Sequence, residues 1–301
     1  MKKILIIYYS QTGQLKQITD SIFENFQGES IELDYYEIKP LRDFPFPWPS
    51  DEFFDTMPES VKGIPMKLFL DDFNPEKDYD LVVIAYQVWY LSLSIPVNSF
   101  LLSEKARKFL KGKNVLTILG VRNMWVYAHE TMKSYLKEYG ANHIGNIVLI
   151  DKTNNLVSVA TIIKWLMYGK KGPYRLLPEA GVSKKDIQES SKLANPIKSA
   201  LTSDNYTNLQ NDLLKLNAVP VCYHVMKIEK NALRIFHKFA SGILKKGQAG
   251  DKKRIFRVRF FKYYLLLAIY LLFPIASLVF MIKKALFPKT AKKDINYFQG
   301  V

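Results

Sequence analysis

The sequence predicts a doubly wound α/β fold, with a parallel sheet of five strands and helices on both of its faces. Residues 3–9 and 81–85 are continuous apolar runs, which are typical of strands buried on both faces of a parallel sheet. Such runs alternate along the chain with segments whose apolar residues recur at helical spacing. The first strand-to-helix turn lacks the G-x-G-x-x-G pattern, which favours the strand order 2-1-3-4-5 over the dinucleotide-binding order.

The predicted elements follow one another in the order that this fold requires. After the first strand, apolar residues spaced three and four apart predict a helix over residues 14–26. Gly140 stands where the C-cap of a later helix belongs. The other predicted strands are 31–38, 81–85, 114–119 and 143–150, and the other predicted helices begin at Pro96 or cover residues 126–139, 155–168, 184–200 and 206–216.

Residues 40–65 form a long connection that is rich in proline and aromatic residues. The segment is too long for an ordinary link between elements of a compact domain. We therefore predict that it forms a functional flap or lid.

The C-terminal part of the chain holds almost all of the excess positive charge. Residues 219–301 carry 17 basic and 3 acidic residues, whereas residues 1–218 carry 26 and 25, within a formal net charge of +15. A basic excess confined to one segment argues against a general nucleic-acid binder, so no nucleic-acid partner is expected. The one cysteine, Cys222, cannot form an intramolecular disulfide, which fits a reducing compartment. No metal site is predicted.

Residues 263–282 are 20 consecutive residues without a charge, flanked on both sides by lysine and arginine. A helix of that length spans the hydrocarbon core of a bilayer, which is about 30 Å thick. Pro274 would kink such a helix, so a re-entrant hairpin or an in-plane helix is an alternative, as is a buried helix of a soluble core. The more strongly basic N-terminal flank favours the cytoplasmic face of the inner membrane for the main domain.

Residues 221–243 place apolar residues near one helical face with four basic residues among them. This pattern predicts an interfacial amphipathic helix on anionic lipid. A helix that packs on the main domain and exposes its basic side is the alternative. We accordingly divide the chain into a domain of residues 1–218, with its core in residues 1–151, and a membrane-associated extension of residues 219–301.

The turn after the first strand reads Ser10-Gln11-Thr12-Gly13-Gln14. A phosphate group at this position meets unpaired N–H groups and the positive end of a helix dipole. The hydroxyls of Ser10 and Thr12 can donate further hydrogen bonds, and Gly13 allows close approach of the backbone. No lysine follows, so the turn is not a Walker A loop. An ordinary polar turn is the alternative.

These residues resemble the first loop of the flavodoxin family, Ser/Thr-x-Thr-Gly-x-Thr, at Ser10, Thr12 and Gly13, with Leu15 in place of the last hydroxyl residue. The resemblance implies a flavodoxin-like three-layer fold that binds flavin mononucleotide (FMN). Flavodoxins place an aromatic residue of the loop after the third strand against the flavin ring. In the loop Val88-Trp89-Tyr90, either Trp89 or Tyr90 could take that role, or Trp89 could simply pack the loop.

The loop after the fourth strand, Gly120 to Trp125, is the third predicted part of the site. Backbone groups of Gly120 and Asn123 could contact the pyrimidine edge of a flavin, and Trp125 could line the pocket. Arg122 could stabilise charge on the reduced ring or bind an anionic substrate, although it could equally be a surface arginine. All three loops follow strands at one sheet edge, beside the point where such folds bind ligands.

Over most of its length the chain is also similar to the DarA-type dialkylresorcinol condensing enzymes. The similarity lies in KILIIYYSQTGQL, YQVWYLSLSIPVNSFL and GVRNMWVYAHETMKSYL and in the basic, apolar C-terminal part. Condensation would need a nucleophilic cysteine with partner residues, and Cys222 has none in its segment. The resemblance and the flavin fold together imply that a ketosynthase partner makes a dialkyl-cyclohexane-1,3-dione, which this protein oxidises to the aromatic dialkylresorcinol. His129 and Tyr90 are the candidate bases.

Three other functions remain open from the sequence. The first is an NAD(P)H:quinone or FMN reductase, and the second is a membrane-tethered flavodoxin that carries electrons. The third is a flavin-free scaffold or lipid-binding module. The leading hypothesis is an FMN-dependent oxidoreductase of aryl-polyene or flexirubin-type pigment synthesis, with a lipophilic substrate.

Overall fold

A computed structural model of the chain describes residues 1–26, 28, 30–175 and 177–301. Its centre is a parallel sheet of five strands which, numbered along the chain, stand in the order 2-1-3-4-5. This is the flavodoxin-like order, which confirms the predicted fold class. The five strands are β1 (Lys2–Tyr8), β2 (Ile31–Glu37), β3 (Leu81–Tyr86), β4 (Asn114–Val121) and β5 (Asn142–Ile150).

Helices connect the strands and continue after the sheet is complete. The helices are α1 (Gln14–Phe23), α2 (Ser50–Asp55), α3 (Met57–Lys62), α4 (Ile95–Leu101), α5 (Glu104–Leu110), α6 (Val126–Glu138), α7 (Asn155–Tyr168), α8 (Lys184–Glu189), α9 (Ala194–Ser203), α10 (Leu209–Lys215), α11 (Tyr223–Leu244), α12 (Ile255–Leu267), α13 (Phe273–Leu286) and α14 (Pro288–Gln299).

The sheet is covered on both faces. On one face α1 lies so close to β4 that a Cβ atom on Gly120 would come within 2.9 Å of Ile18 Cδ1. On the other face, α6 places His129 against Tyr86 of β3. All six residues of β3 are buried, as the continuous apolar run predicts for a central strand.

The helix predicted over residues 184–200 is wrong in one respect, because the structure divides it. A 3₁₀ turn, Ser190–Leu193, separates α8 from α9. Pro196 has no N–H group to donate to a preceding carbonyl, so it is accommodated in the first turn of a new helix.

The predicted flap folds into α2 and α3, and a short antiparallel ribbon of Lys39–Pro40 with Leu68–Phe69 joins the chain segments at its two ends. Of its aromatic residues, Trp48 and Phe54 are buried, Phe44 and Phe53 are half-buried, and Phe46 is exposed. Trp48 is 2% exposed, and its backbone N–H donates to the carbonyl of Leu166 in α7 over 2.7 Å. The flap is therefore a packed cover over the carboxyl edge of the sheet.

The helix α11 uses its apolar face inside the protein. Phe236, Ala240 and Ile243 are buried together with Met57 and Val61 of the flap helix α3. The prediction that this face lies on lipid is therefore wrong, and the alternative of a helix packed on the domain is correct. The apolar side chains of α11 are buried because they pack against α3, a helix that is distant in sequence.

Within the described residues, one helix is long and apolar enough to cross a membrane by length and composition, namely Lys252–Leu286. It is continuous and comprises a 3₁₀ turn (Lys252–Arg254), α12, a π-helical turn (Ala268–Leu272) and α13. The π turn ends two residues before Pro274, where a regular helix would lack a hydrogen-bond donor. The chain then turns at Phe287 into α14, which packs back against the domain.

Candidate functional site

The loops after β1, β3 and β4 meet at the carboxyl edge of the sheet, around a cavity of about 430 Å³. The structure thus brings together the three segments that sequence reasoning selected. The predicted residues in the cavity wall are Gln11, Thr12, Gln14, Val88, Trp89, Tyr90, Gly120, Arg122 and Asn123. Ser10, Gly13, Trp125 and His129 are not part of the wall.

The first loop has the features of an anion site. Gly13 has a φ of 77°, in the left-handed region that glycine favours, and forms the N-cap of α1. No side chain of the described residues caps the N–H groups at the start of α1. The Oγ atom of Ser10 is buried and has no hydrogen-bond partner among the described residues. Unpaired donors at a helix N-terminus are what an anionic group satisfies.

Two residues of this loop direct their side chains away from a ligand. The Gln11 amide donates to the carbonyls of Phe44 and Pro45 over 3.0 and 2.9 Å. The Gln14 side chain donates to the carbonyl of Val182 and accepts from its N–H, each over 3.0 Å. Their side chains therefore hold the flap and the segment before α8 against the loop, contacts that the sequence pattern did not indicate.

The second loop is a strained hairpin. Val88–Trp89 pairs with Ser92–Leu93, and both residues of the turn between them have positive φ, 49° for Tyr90 and 65° for Leu91. Two-residue hairpins with positive φ at both positions usually contain asparagine or glycine. Residues held in sparsely populated conformations are concentrated at functional sites, and this turn lies in the cavity wall.

The flap aromatics enclose Trp89. Its ring lies 5.1 Å from the ring of Trp48 and 4.9 Å from that of Phe44, measured between centroids. Beside it, the Tyr90 hydroxyl donates to the carbonyl of Phe53 over 2.7 Å. Burial raises the pKa of Tyr90 well above its ordinary value, so this hydroxyl is a neutral donor and is poorly suited to act as a base.

The third loop supplies the one charged side chain in the cavity wall, counted over the residues that the structure describes. Arg122 donates to the Asn155 side chain at the start of α7. Burial lowers the pKa of Arg122 to about 10, and nearby Asp151 opposes that shift, so the guanidinium stays cationic at neutral pH. Asn123 donates to the same Asn155 oxygen over 2.5 Å, and its own Oδ1 atom is buried without a partner in the described chain.

Sequence reasoning missed Glu229, which positions this third loop. Glu229 lies on α11, is fully buried and accepts from the backbone N–H of Tyr127 over 3.0 Å. Burial raises its pKa to about 8, against the effect of backbone N–H groups at the start of α6. The available signal was an acidic residue, Glu229, on the apolar side of a helix whose other charges are basic.

The structure places His129 in the core on α6. The side chain is 1% exposed, and its Nδ1 atom lies 2.8 Å from the Tyr86 hydroxyl. Burial lowers its pKa well below the ordinary value, and the ring packs against His143 at 5.3 Å between centroids. Its position gives no support to the predicted role of base, which stays a prediction. Trp125 is buried beside it and packs on its ring.

Apolar residues form the far wall of the cavity. This wall consists of residues from α7, from α11 and from the inner side of the α12–α13 helix. On the α12–α13 helix, the lining residues include Leu265, Ile269, Leu272, Ala276 and Phe280. The cavity thus has a polar end at the sheet edge and an apolar end at the helix Lys252–Leu286, which we call the hydrophobic helix. Cys222 lies outside this wall and is exposed. The expectation that its segment offers no partner residue is wrong, because its Sγ atom lies 3.2 Å from His224 Nδ1.

No protein-family model and no curated protein sequence matches the chain. Among solved structures, it is similar to a flavoprotein in complex with FMN from Lactobacillus acidophilus, with 23% identity and a TM-score of 0.36, covering 49% of this chain and 93% of that one. It is also similar to a flavodoxin from the domain Archaea, with 12% identity and a TM-score of 0.36, covering 66% and 99% of the two chains. A third similar structure is the Megasphaera elsdenii flavodoxin, with 17% identity, a TM-score of 0.31 and coverage of 50% and 89%.

Proposed function

We propose that the protein is a membrane-associated oxidoreductase that uses FMN and acts on a lipophilic ring compound. One observation carries the proposal. A single cavity extends from the three loops at the sheet edge to the inner side of the hydrophobic helix. The polar end at the loops therefore suits a phosphate-bearing cofactor and the ring of a substrate. The apolar end at the helix suits the alkyl chains of that substrate.

The polar end fits FMN by the groups that it leaves unpaired. Ser10, Thr12 and the N–H groups at the start of α1 would hold the phosphate, and Asn123 would face the ring edge. Leu15 is buried and offers no hydroxyl, so one phosphate contact of the flavodoxin pattern is absent. The Lactobacillus acidophilus relative is a complex with FMN, and the same cofactor is proposed for this chain. FMN, when bound there, would supply a two-electron acceptor.

The proposed substrate is a dialkyl-cyclohexane-1,3-dione from a ketosynthase partner, and the product is the dialkylresorcinol of an aryl-polyene or flexirubin-type pigment. The resemblance to dialkylresorcinol condensing enzymes suggests this ring, and the apolar end of the cavity suits its alkyl chains. Aromatisation removes two hydrogens from the ring, as one hydride and one proton; the two-electron acceptor would be FMN, and the proton would go to solvent.

Arg122 has the central role in this reaction. Among the described residues, no aspartate, glutamate or histidine lines the cavity, so a base from the protein is not at hand. A cyclic 1,3-dione is acidic and would bind as its enolate, whose oxygen the half-buried guanidinium would hold. Arg122 would thus select the anion and stabilise it, while the Tyr90 hydroxyl stays neutral in the wall.

The cofactor and the substrate can be tested on detergent-purified full-length protein. We expect a flavin absorbance spectrum, release of FMN on denaturation, and bleaching when a dialkyl-cyclohexane-1,3-dione is added without oxygen. Arg122→Gln removes a charged hydrogen-bond donor worth about 1.5–3 kcal/mol, so the dione should bind about 10- to 150-fold more weakly. Arg107→Gln, an exposed arginine on α5, is the matched control.

Three results would decide against this function. A colourless protein that takes up no added FMN would exclude flavin chemistry. Rapid bleaching by NAD(P)H with no response to the dione would favour a quinone or flavin reductase. A flavin that exchanges electrons with a redox partner, but with neither compound, would favour a tethered electron carrier.

A further inference from the structure

The hydrophobic helix Lys252–Leu286 presents a continuous apolar stripe on its outer side. The exposed apolar residues recur three or four positions apart, so they share one helical face. They include Phe260, Leu267, Leu271, Ile275, Leu278 and Ile282, all at least 52% exposed. The opposite side of the same helix lines the cavity.

The beginning of this helix is bonded to the flap. Arg254 is fully buried and donates to Asp55 Oδ1 over 2.5 Å and to Glu59 Oε1 over 2.6 Å. One turn later, Arg259 pairs with Asp51, and Lys262 donates to Ser50. The N-terminal end of the helix is therefore fastened to α2 and α3.

The chain beyond the far end of the helix returns to the same body. In α14, Asp294 accepts from Lys227 of α11 over 2.6 Å, and the Tyr297 hydroxyl donates to Glu130 of α6 over 2.7 Å. Ala291 is buried in the main core, and the Gln299 amide donates to the carbonyl of Val219 over 3.1 Å. Only Phe287 separates α13 from α14, so the C-terminal end of the helix is fastened as well.

These two attachments determine how the helix can meet a bilayer. The 32 residues from Ile255 to Leu286 extend over roughly 48 Å, more than the hydrocarbon core of about 30 Å. A spanning helix would carry its two ends to opposite sides of the membrane, and α14 would have to leave the core. With both ends on one body, the helix can offer lipid only its outer side.

We infer that the protein is monotopic: the helix Lys252–Leu286 lies in the plane of the membrane with its outer stripe among the acyl chains of one leaflet. This inference rests on the membrane association proposed above. Exposed basic residues at the two ends of the stripe, among them Lys252, Lys253, Lys283, Lys284 and Lys289, suit the anionic headgroups of that leaflet. The helix then lies between the leaflet and the cavity. A lipophilic substrate would move from the leaflet around the helix into the cavity without entering water.

The orientation can be tested by labelling single cysteines. Because Cys222 is the one cysteine, Cys222→Ser gives a cysteine-free full-length background. Gln248→Cys reports the beginning of the helix, Lys292→Cys reports the chain after it, and Lys108→Cys marks the side of the globular body; all three positions are exposed. The probe is a membrane-impermeant maleimide applied to sealed vesicles containing phosphatidylglycerol, before and after permeabilisation.

The in-plane arrangement predicts that all three cysteines react from the same side. It also predicts that fluorophores at Phe260→Cys, Leu271→Cys and Ile282→Cys are quenched equally by lipids that carry a quencher at one shallow depth. Reaction of Lys292→Cys only from the side opposite to Lys108→Cys, with the deepest quenching at Leu271→Cys, would show a spanning helix and overturn the inference. That outcome would leave membrane association intact.

Failure of the unmodified protein to float with the vesicles would overturn membrane association and this inference together. If the protein then formed dimers that protect Leu271→Cys from the maleimide, the stripe would be a contact between copies of the chain. Vesicle flotation therefore tests the proposed association, and the side of labelling tests the in-plane orientation separately.

Discussion

Glu229→Gln is the substitution whose effect on stability is best defined by the structure. Glu229 is fully buried, and burial raises the pKa of its carboxyl group to about 8 from an ordinary value of 4.5. Between pH 4.5 and about 8, such a carboxyl group is protonated in the folded protein and ionised in the unfolded chain. Stability is then highest at low pH and falls as pH rises through that interval.

The size of the effect follows from the same two values. Each pKa unit corresponds to about 1.4 kcal/mol, so the wild-type protein should lose up to about 5 kcal/mol of unfolding free energy between pH 4.5 and 8. Glutamine stays neutral at every pH, and its amide oxygen can still accept from the N–H of Tyr127. The variant should match the wild type near pH 5 and be several kcal/mol more stable near pH 9.

The assay is urea unfolding in detergent micelles, followed by tryptophan fluorescence at a series of pH values. Glu138→Gln, which removes an exposed carboxylate on α6, serves as the control and should leave the pH dependence unchanged. Parallel pH profiles for the wild type and Glu229→Gln would refute the reasoning. They would mean that the N–H groups at the start of α6 compensate the carboxylate for its burial.

Three further predictions concern the phosphate loop, the flap and the core. Gly13→Ala should destabilise the protein by about 1–2 kcal/mol because its φ is positive, and should also weaken FMN uptake measured by fluorescence quenching. Gly112 has a similar positive φ, 73° against 77° for Gly13, and an equally open Cβ position, so Gly112→Ala should lose stability without losing FMN; equal FMN uptake by both variants would contradict the role of the loop. Arg254→Met leaves two carboxylates without their buried partner and should lower the unfolding free energy by about 3–5 kcal/mol. The control Arg259→Met breaks an exposed pair and should change the unfolding free energy by less than about 1 kcal/mol. Similar losses in the two variants would argue against the attachment of the helix to the flap. His129→Leu removes the hydrogen-bond partner of the buried Tyr86 and should lower the unfolding free energy by about 1–3 kcal/mol. The folded variant should keep its turnover, and a folded variant without turnover would support His129 as a catalytic residue.

Local patterns in the sequence were sufficient for the sheet. All five predicted strands are present, β1 and β3 from continuous apolar runs, and the predicted helix over residues 155–168 has the bounds that the structure gives α7. These patterns are reliable because burial on both faces of a sheet imposes apolar residues within a few consecutive positions. The order of the strands then followed from their number and from the absence of the G-x-G-x-x-G pattern in the first strand-to-helix turn.

The place of the site was also predictable, because the carboxyl ends of parallel strands lie at one edge whatever their side chains do. Thr12, Trp89 and Arg122 accordingly meet in one cavity. Their individual roles were less predictable. Gln11 and Gln14 have the spacing of loop ligands, yet their amides bond to the flap and to the segment before α8.

The sequence by itself thus determined the α/β fold, the edge that carries the site and the presence of one long apolar segment, since each depends on neighbours in the chain. Only the tertiary structure decided what Glu229 and Arg254 do, because Glu229 bonds to a residue 102 positions away and Arg254 to one 199 positions away. It also decided that the apolar segment is attached at both ends. Hydropathy records whether a helix can lie in lipid, whereas its orientation there depends on the contacts of Arg254 and of α14 with the globular body.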